Sequence, residues 1–305
     1  MASTLTYTLR KASSATATTA TDLRRGSLTL VKPDGTITLE TPNCLAYTVR
    51  GTVPHLTPDN LRLLPCEAVQ ITLEQFFEEA SPSSLKYPGG LHKFLHMEVR
   101  PSLFSLPPLR YSLPNLSTPT SHSSHLRDPT SHHPTVSANT DKFVSVTTHG
   151  GVRQVTSGLY AEVMSAYQPD VLVSLADVVM DERPSLKRVR KSVDRTGKWL
   201  DEALKARKVD IQCVRRIGTT HIFAVLVGSH IKDERIRAAQ MAATRGVGGF
   251  VLNAHGLGTT AQERVDHLKV SLVEVPEEKP RVAYGFGRPE DVLVAVANGL
   301  DLFDS

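Results

Sequence analysis

The feature that most constrains the fold is a repeated alternation of short apolar runs and amphipathic segments after Asp141. Apolar runs of this length favour strands that are buried on both faces of a parallel sheet. Parallel neighbours need a long crossover, usually a helix, so the alternation predicts an α/β fold, as a (β/α)8 barrel or an open doubly wound sheet. The predicted strands are residues 143–147, 170–175, 222–227, 249–253, 281–285 and 300–303.

Two segments between these strands carry clear helix signals. One runs from Pro289 to Asn298, with proline in the first turn and Gly299 after the end, as helix boundaries prefer. In the other, apolar residues recur at spacings of 3, 4, 7 and 4, which places them on one helical face. They are Leu186, Val189, Val193, Leu200 and Leu204.

The position of a glycine-rich stretch helps to decide between the barrel and the doubly wound sheet. Gly246-Val-Gly-Gly249 precedes a predicted strand, whereas a dinucleotide-binding fingerprint follows a strand and opens a helix. This order disfavours a Rossmann domain and favours the TIM-like (β/α)8 barrel. The sequence stops at Ser305, directly after a predicted strand and without the helix that should cover it, so we expect a C-terminally truncated barrel.

Residues 1–104 are predicted to form a small β-rich N-terminal region and the start of the barrel. Residues 27–31 and 36–40 flank Lys32-Pro-Asp-Gly35, a typical hairpin connection, and residues 73–80 resemble a short helix. Residues 4–10 alternate like an edge strand. The Arg, Ser and Thr content of the first thirty residues also fits a mitochondrial transit peptide, and composition favours the strand without excluding the peptide.

Residues 105–140 break this pattern, because they are rich in Pro, Ser, Thr and His and poor in large apolar residues. Such a stretch cannot bury enough surface to offset its ordering entropy, which predicts a disordered insertion or long loop between residues 1–104 and the main βα portion, 141–305. A metal-binding tract is the alternative for its histidines, although composition favours solvated low-complexity sequence. These are His122, His125, His132 and His133.

Overall composition excludes several classes. The net charge of +4 is compatible with a phosphate-bearing partner but does not require one. Cys44, Cys66 and Cys213 form no Cys-x-x-Cys pair, which disfavours a disulfide framework and a local zinc site and favours reduced thiols in a cytoplasmic protein. Charged residues interrupt every apolar stretch, so no integral membrane segment is predicted.

Eight short segments, spread over nearly the whole chain outside residues 105–140, occur in the order seen in one protein family. They are Asn43-Cys-Leu-Ala-Tyr-Thr48, Pro54-His-Leu-Thr57, Gln168-Pro-Asp170, Lys187-Arg-Val-Arg-Lys-Ser-Val-Asp-Arg195, Val247-Gly-Gly-Phe250, Pro276-Glu-Glu-Lys-Pro-Arg281, Gly287-Arg-Pro-Glu-Asp-Val-Leu293 and Gly299-Leu-Asp-Leu-Phe-Asp304. This ordered set resembles the accessory, non-catalytic subunits of queuine tRNA-ribosyltransferase, in the tRNA-guanine transglycosylase family.

The resemblance implies a (β/α)8 barrel with a zinc subdomain, and a family reaction that exchanges guanine for queuine at the tRNA wobble position. It implies a heterodimer with the catalytic subunit, tRNA as a further partner, and a cytoplasmic location with peripheral association with the mitochondrial outer membrane. The family's zinc ligands correspond to positions beyond Ser305, so no zinc site is expected within residues 1–305.

The resemblance also separates catalytic from non-catalytic members. Catalytic members carry Asp-Ser-Gly-Gly-Phe-Gln, whose Asp transfers a proton, where this chain has Thr148-His-Gly-Gly-Val-Arg153. They carry Val-Gln-Gly-Gly, whose Gln binds the base, where this chain has Val227 in place of the Gln. Asp304 falls at the nucleophile position. The Asp-Glu-Cys of the catalytic purine pocket has no clean counterpart in this chain, and Asp177 lies near its position.

Two further features can be read functionally or as ordinary surface. One predicted helix is rich in basic residues. They can bind tRNA phosphates, or they can form an ordinary solvated face that pairs with nearby acidic residues. The family's tRNA partner makes the two interpretations equally favoured. Its residues are Lys187, Arg188, Arg190, Lys191, Arg195 and Lys198. His255 follows a predicted strand, where a structural or exposed histidine is favoured over an acid/base group.

The predicted function is therefore an accessory subunit that is not an enzyme by itself. A transglycosylase that uses Asp304 as its nucleophile is the main alternative, and it lacks the proton-transfer acid at position 148. A truncated, non-functional product is the third reading.

Overall fold

The computed structural model describes residues 3–10, 23–32, 35–63, 68–76, 82–95, 102–105, 139–148, 151–179, 181, 183–212, 220–254, 256–258, 260–286 and 288–304. Within these ranges the strands are β1 (Thr4–Arg10), β2 (Arg25–Lys32), β3 (Gly35–Thr41), β4 (Asn43–Tyr47), β5 (Val69–Thr72), β6 (Ser102–Ser105), β7 (Phe143–Thr148), β8 (Gly151–Thr156), β9 (Val171–Val173), β10 (His221–Leu226), β11 (Gly249–Asn253), β12 (Arg281–Tyr284) and β13 (Leu302–Asp304).

Eight of these strands form a closed ring in which every neighbouring pair is parallel. Following the chain, the ring runs β4, β5, β6, β9, β10, β11, β12 and β13, and it closes where β13 pairs with β4. Parallel strands joined in sequence order around a closed ring have the topology of a (β/α)8 barrel. The α/β prediction is therefore confirmed.

The helices described are α1 (Pro58–Arg62), α2 (Ser83–Lys86), α3 (Gly90–Phe94), α4 (Ser157–Tyr167), α5 (Leu186–Gln212), α6 (Lys232–Ala243), α7 (Ala261–Val273) and α8 (Pro289–Ala297), with a 3-10 helix at Leu73–Phe76. Strand side chains alternate between two environments, as the pleat requires. Phe223 and Val225 face the barrel interior, whereas Ile222, Ala224 and Leu226 pack outward in one cluster with residues of α6 and α7.

The N-terminal sheet, in the order β1-β2-β3, lies against the barrel's amino end. Its apolar side chains share a cavity of about 40 Å³ with residues just before or within the first half of barrel strands. The cavity is lined by Leu5, Leu28, Leu30, Ile37, Leu39, Leu45, Ala68, Val171, Phe223, Val282 and Leu302. The opposite end, where the strands finish, is therefore the end left for a site.

Two buried carboxylates hold this sheet in place. Asp301, just before β13, accepts hydrogen bonds of 2.7 Å from the Tyr7 hydroxyl and 2.7 Å from Arg24 Nε. Asp170, just before β9, lies 2.6 Å from Lys32 Nζ. Each carboxylate joins the N-terminal sheet to a barrel strand, so sheet and barrel share buried polar contacts as well as apolar ones.

Several sequence predictions differ from the structure in informative ways. The predicted strand 143–147 exists but is not a barrel strand, because β7 pairs antiparallel with β8 in a separate hairpin. The helix predicted over 73–80 is a 3-10 helix at Leu73–Phe76, and residues 77–81 lie outside the described part. The edge strand at residues 4–10 is confirmed as β1, in the predicted bounds. The insertion predicted at residues 105–140 lies almost wholly outside the described residues and stays a prediction.

Candidate site at the barrel mouth

The carboxyl ends of the barrel strands bring together most of the residues that the sequence singled out. Asp304 ends β13, Val227 directly follows β10, and Asp177 comes four residues after β9. The β7–β8 hairpin, which carries Thr148, contacts the 3-10 helix that directly follows β5. All four therefore lie toward the face that carries active sites in barrels of this topology.

Asp304 is the most unusual carboxyl group of this face. Both of its carboxylate oxygens accept a hydrogen bond from the backbone N–H of Gly285, and each oxygen lies 2.9 Å from that nitrogen. Burial raises the pKa of Asp304 to about 6, even though N–H groups of Gly285, Phe286 and Asp304 itself act to lower it. A carboxyl group with a pKa this close to neutrality can both release and take up a proton under ordinary conditions.

Thr148 is turned into its own hairpin. Its side chain is 4% exposed, and its hydroxyl donates a 2.9 Å hydrogen bond to the carbonyl oxygen of Gly151. The hydroxyl proton of Thr148 is therefore used in the hydrogen bond that closes the β7–β8 turn. A threonine hydroxyl does not ionise near neutral pH, so it cannot take up and release a proton as a carboxyl group does.

Val227 adds an apolar wall. It is 8% exposed and belongs to the interior cluster that also contains Val173 and Val225. The next residue, Gly228, has a φ of +138°, and a Cβ there would lie 2.7 Å from the backbone nitrogen of Arg235. The loop after β10 therefore approaches α6 more closely than a side chain at Gly228 would permit.

Arg235, which carries no motif that would single it out in the sequence, holds two loops of the barrel mouth together. Its Nη2 donates 2.7 Å to the carbonyl of Gly256, after β11, and its Nε donates 2.5 Å to the carbonyl of Ser229, after β10. It is 2% exposed, and burial lowers its pKa to about 9. Two loops from neighbouring strands are thus tied together by one buried guanidinium.

The interior wall next to the mouth is polar at β5. Gln70 and Thr72 alternate with the outward-facing Val69 and Ile71, and both are fully buried. Among the described residues, the Gln70 amide atoms and the Thr72 hydroxyl have no hydrogen-bond partner. Buried groups of this kind need polar partners, so this wall can take hydrogen bonds from a small polar molecule or water.

Asp177 does not present a free carboxylate. Arg188 binds it through two hydrogen bonds of 2.7 Å, Arg195 donates a third of 3.0 Å, and the Asn139 amide a fourth of 2.8 Å. Burial by itself raises the pKa of Asp177, but these hydrogen bonds outweigh it and hold the pKa below its ordinary value. The carboxylate therefore serves to join residue 139, the loop after β9 and α5.

The basic residues of α5 divide into internal and exposed groups. Arg195 is internal, since its side chain is 10% exposed and pairs with Asp141 and Asp177. Arg188, the main partner of Asp177, is 31% exposed. The other four, Lys187, Arg190, Lys191 and Lys198, are more exposed. Arg190 lies against Glu234, Lys191 against Asp141 and Lys198 against Glu202.

Neither a metal-binding cluster nor a membrane-spanning helix occurs in the described ranges. They contain no group of three or more His, Cys, Asp or Glu side chains placed to hold a metal ion. None of the helices in those ranges combines the length and apolar character needed to cross a membrane. His255 and the four histidines of the predicted insertion lie outside the described residues, so their predictions stay open.

The closed parallel ring, with its polar and titratable groups at the strand carboxyl ends, defines the class as an α/β-barrel protein. Residues 19–305 match the family model described as queuine tRNA-ribosyltransferase, and the chain belongs to that family. This confirms the resemblance that the ordered motifs indicated.

Several animal proteins that are similar to this chain share the description queuine tRNA-ribosyltransferase accessory subunit 2. The chain is 34% identical over 286 residues to the queuine tRNA-ribosyltransferase accessory subunit 2 of Danio rerio, covering 92% of this chain and 62% of that protein. It is 33% identical over 288 residues to that of Homo sapiens, covering 92% and 63%. For Trichoplax adhaerens the identity is 32% over 259 residues, covering 84% and 63%. The chain thus spans a little under two thirds of the length of these relatives.

Proposed function

We propose that this chain is a non-catalytic accessory subunit of a heterodimeric queuine tRNA-ribosyltransferase. In this role it supports the exchange of guanine for queuine at the tRNA wobble position by a separate catalytic subunit. Family membership and the description shared by the similar animal proteins support the proposal. The catalytic subunit and tRNA are accordingly its proposed partners, in the cytoplasm.

The observation that carries the proposal is the chemistry of Thr148 and Val227. The family resemblance implies a proton-transfer carboxylate at the first position and a base-reading amide at the second. Here the Thr148 hydroxyl is used within its hairpin, and the Val227 side chain lies in an apolar cluster. An isopropyl group would leave polar atoms of a purine edge unpaired, at a cost of about 1 to 3 kcal/mol for each.

The family's zinc enters the proposal only as an expectation. Its ligands are proposed to lie outside residues 1–305, in the part of the relatives that this chain does not span.

One observation favours a second candidate, a transglycosylase that acts without a partner. Asp304 lies at the mouth with a raised pKa, which fits a carboxyl group that attacks a sugar carbon or moves a proton. A nucleophile without a proton-transfer partner and a base-reading amide should nevertheless turn over poorly. The accessory role is therefore preferred.

The test is incorporation of labelled guanine or queuine into a tRNA that carries guanine at the wobble position. It compares this chain, a catalytic queuine tRNA-ribosyltransferase subunit, and their mixture. We expect the chain alone to be inactive and the mixture to exceed the catalytic subunit alone. The Asp304→Asn variant should stimulate as well as the unchanged chain.

Two results would overturn the proposal. Activity of the chain alone that Asp304→Asn abolishes would make it an enzyme with a proton-transfer group not identified among the described residues. A mixture no more active than the catalytic subunit alone, with the chain folded by circular dichroism, would remove the accessory role.

A further inference from the structure

The outer face of α5 carries a row of exposed lysines. They are Lys187, Lys191, Lys198 and Lys205. Lys191 lies 3.6 Å from Asp141 and Lys198 lies 3.8 Å from Glu202, and both contacts are at the surface, where long ion pairs contribute little energy. At 3.6 residues per turn their spacings of 4, 7 and 7 keep them within about 40° of one another, and they extend over about 27 Å of helix. We call this row the lysine stripe. Lys205 was not among the basic residues selected from the sequence.

Acidic residues beside the stripe are largely neutralised from the neighbouring helix. Arg237 on α6 lies 2.6 Å from Asp194, and Arg245, just after α6, contacts both oxygens of Asp201 at 2.6 and 2.7 Å. Glu202 lies 3.8 Å from Lys198, a distance that gives an exposed pair little energy. The stripe therefore keeps a net positive charge.

The stripe also differs chemically from the arginines of the same helix. Arg188 and Arg195 are fixed by Asp177, so their guanidinium groups have defined positions inside the fold. Lysine ammonium groups on flexible stems act as point charges and suit phosphate oxygens without fixed geometry. The stripe itself contains no aromatic side chain on which a base could stack.

We propose that the lysine stripe is a docking surface for the phosphate backbone of tRNA. The proposal rests on the proposed function, which supplies tRNA as the partner, and adds the surface and the mode of contact. The contact is independent of sequence, because ammonium groups meet phosphates rather than base edges. One strand of an RNA carries a continuous line of phosphates that a straight, positive helix face of this length can follow.

The test measures binding of a fluorescein-labelled tRNA by anisotropy between about 50 and 200 mM salt. The stripe variant combines Lys187→Gln, Lys191→Gln, Lys198→Gln and Lys205→Gln. The control variant makes the same charge change at other exposed lysines, with Lys86→Gln, Lys93→Gln, Lys232→Gln and Lys269→Gln. We expect the stripe variant to lose at least about ten-fold in affinity and to reduce the salt slope by about three, with a much smaller loss in the control.

Equal losses in the two variants would overturn the proposal, because binding would then follow net charge rather than this surface. So would an unchanged affinity of the stripe variant. Vesicles of phosphatidylserine and phosphatidylcholine form a further arm: loss of vesicle binding with intact tRNA binding would assign the stripe to a membrane instead.

The exchange assay separates this inference from the proposed function. If the chain stimulates the catalytic subunit while the stripe variant binds tRNA normally, only the docking surface is wrong. If no stimulation occurs at all, the accessory role itself is wrong.

Discussion

At the scale of single residues, the burial of Asp304 has a direct thermodynamic consequence. The folded state holds its pKa at about 6, above the ordinary value of 3.8. Between these values the folded protein keeps a proton that the unfolded chain has released. Stability from this group is therefore fully present below about pH 4, falls as the pH rises to about 6, and is level above that.

The corresponding prediction concerns Asp304→Asn, which removes the ionisation. Relative to the unchanged chain, the variant should gain up to about 3 kcal/mol in unfolding free energy between pH 4 and pH 7. Urea unfolding at the two pH values measures this difference, and effects of other carboxylates cancel in the comparison. A pH dependence shared by both proteins would mean that Asp304 is not desolvated.

The sequence was enough to predict the positions of some single residues of the site but not the roles of others. The position of Asp304 at a strand end followed from the chain pattern and the resemblance, because strand ends can be recognised locally. The role of Arg235 could not be predicted from the sequence, because its carbonyl partners at Ser229 and Gly256 become neighbours only when two loops meet in the fold. For the same reason, Arg188 and Arg195 could not be separated from the exposed lysines on the same helix.

At the scale of elements, Asp177 couples three segments that are distant in sequence. Its carboxylate accepts hydrogen bonds from Asn139, ahead of β7, and from Arg188 and Arg195 on α5. The side-chain oxygen of Asn139 in turn accepts the backbone N–H of Ser145 in β7 at 3.0 Å. The hairpin that bears Thr148 is thus anchored to α5 through one carboxylate.

Asp177→Asn should therefore release the hairpin. We expect a loss of about 2 to 3 kcal/mol in unfolding free energy, because two arginines lose their buried counter-charge, and faster hydrogen exchange at the Ser145 amide. Glu202→Gln, at an exposed pair on the same helix, should change stability by less than about 0.5 kcal/mol. If Ser145 exchanges no faster than in the unchanged chain, the anchor lies elsewhere.

The elements themselves were predicted where the local signal was long or regular. β11 was predicted in its observed bounds, and α8 within one residue, because proline and glycine mark its ends. β4, β5 and β6 were not recognised as separate barrel strands, because runs of four or five residues with polar members such as Gln70 carry no distinct period. β7 was mistaken for a parallel strand because pairing direction is not encoded in a single strand.

At the scale of the molecule, the N-terminal sheet acts as part of the barrel core. Leu39 of β3 is 4% exposed and packs in the interior cluster with Leu45, Phe223 and Val282. The sheet and the barrel therefore have a shared apolar core, and we expect them to unfold together.

Leu39→Ala tests this cooperation. The variant should lose about 2 to 4 kcal/mol, and the loss should be visible in the fluorescence of Trp199, the single tryptophan of the chain, which lies on α5. Val31→Ala, at a 43% exposed position of the same sheet, should cost less than about 1 kcal/mol. A Trp199 transition that stays in place while circular dichroism shifts would show two independent units.

The closing seam of the ring also constrains how the chain can be made. Leu302 pairs with Asn43 and Asp304 with Leu45, so the first and last barrel strands meet across about 260 residues of sequence. A chain that emerges from the ribosome presents the pairing edge of β4 long before its partner has been translated. Until then the growing sheet has two open edges, each able to pair with another chain. Translation speed and chaperone protection over this interval should therefore govern the yield of folded protein more strongly than they would for a fold whose strands pair with near neighbours.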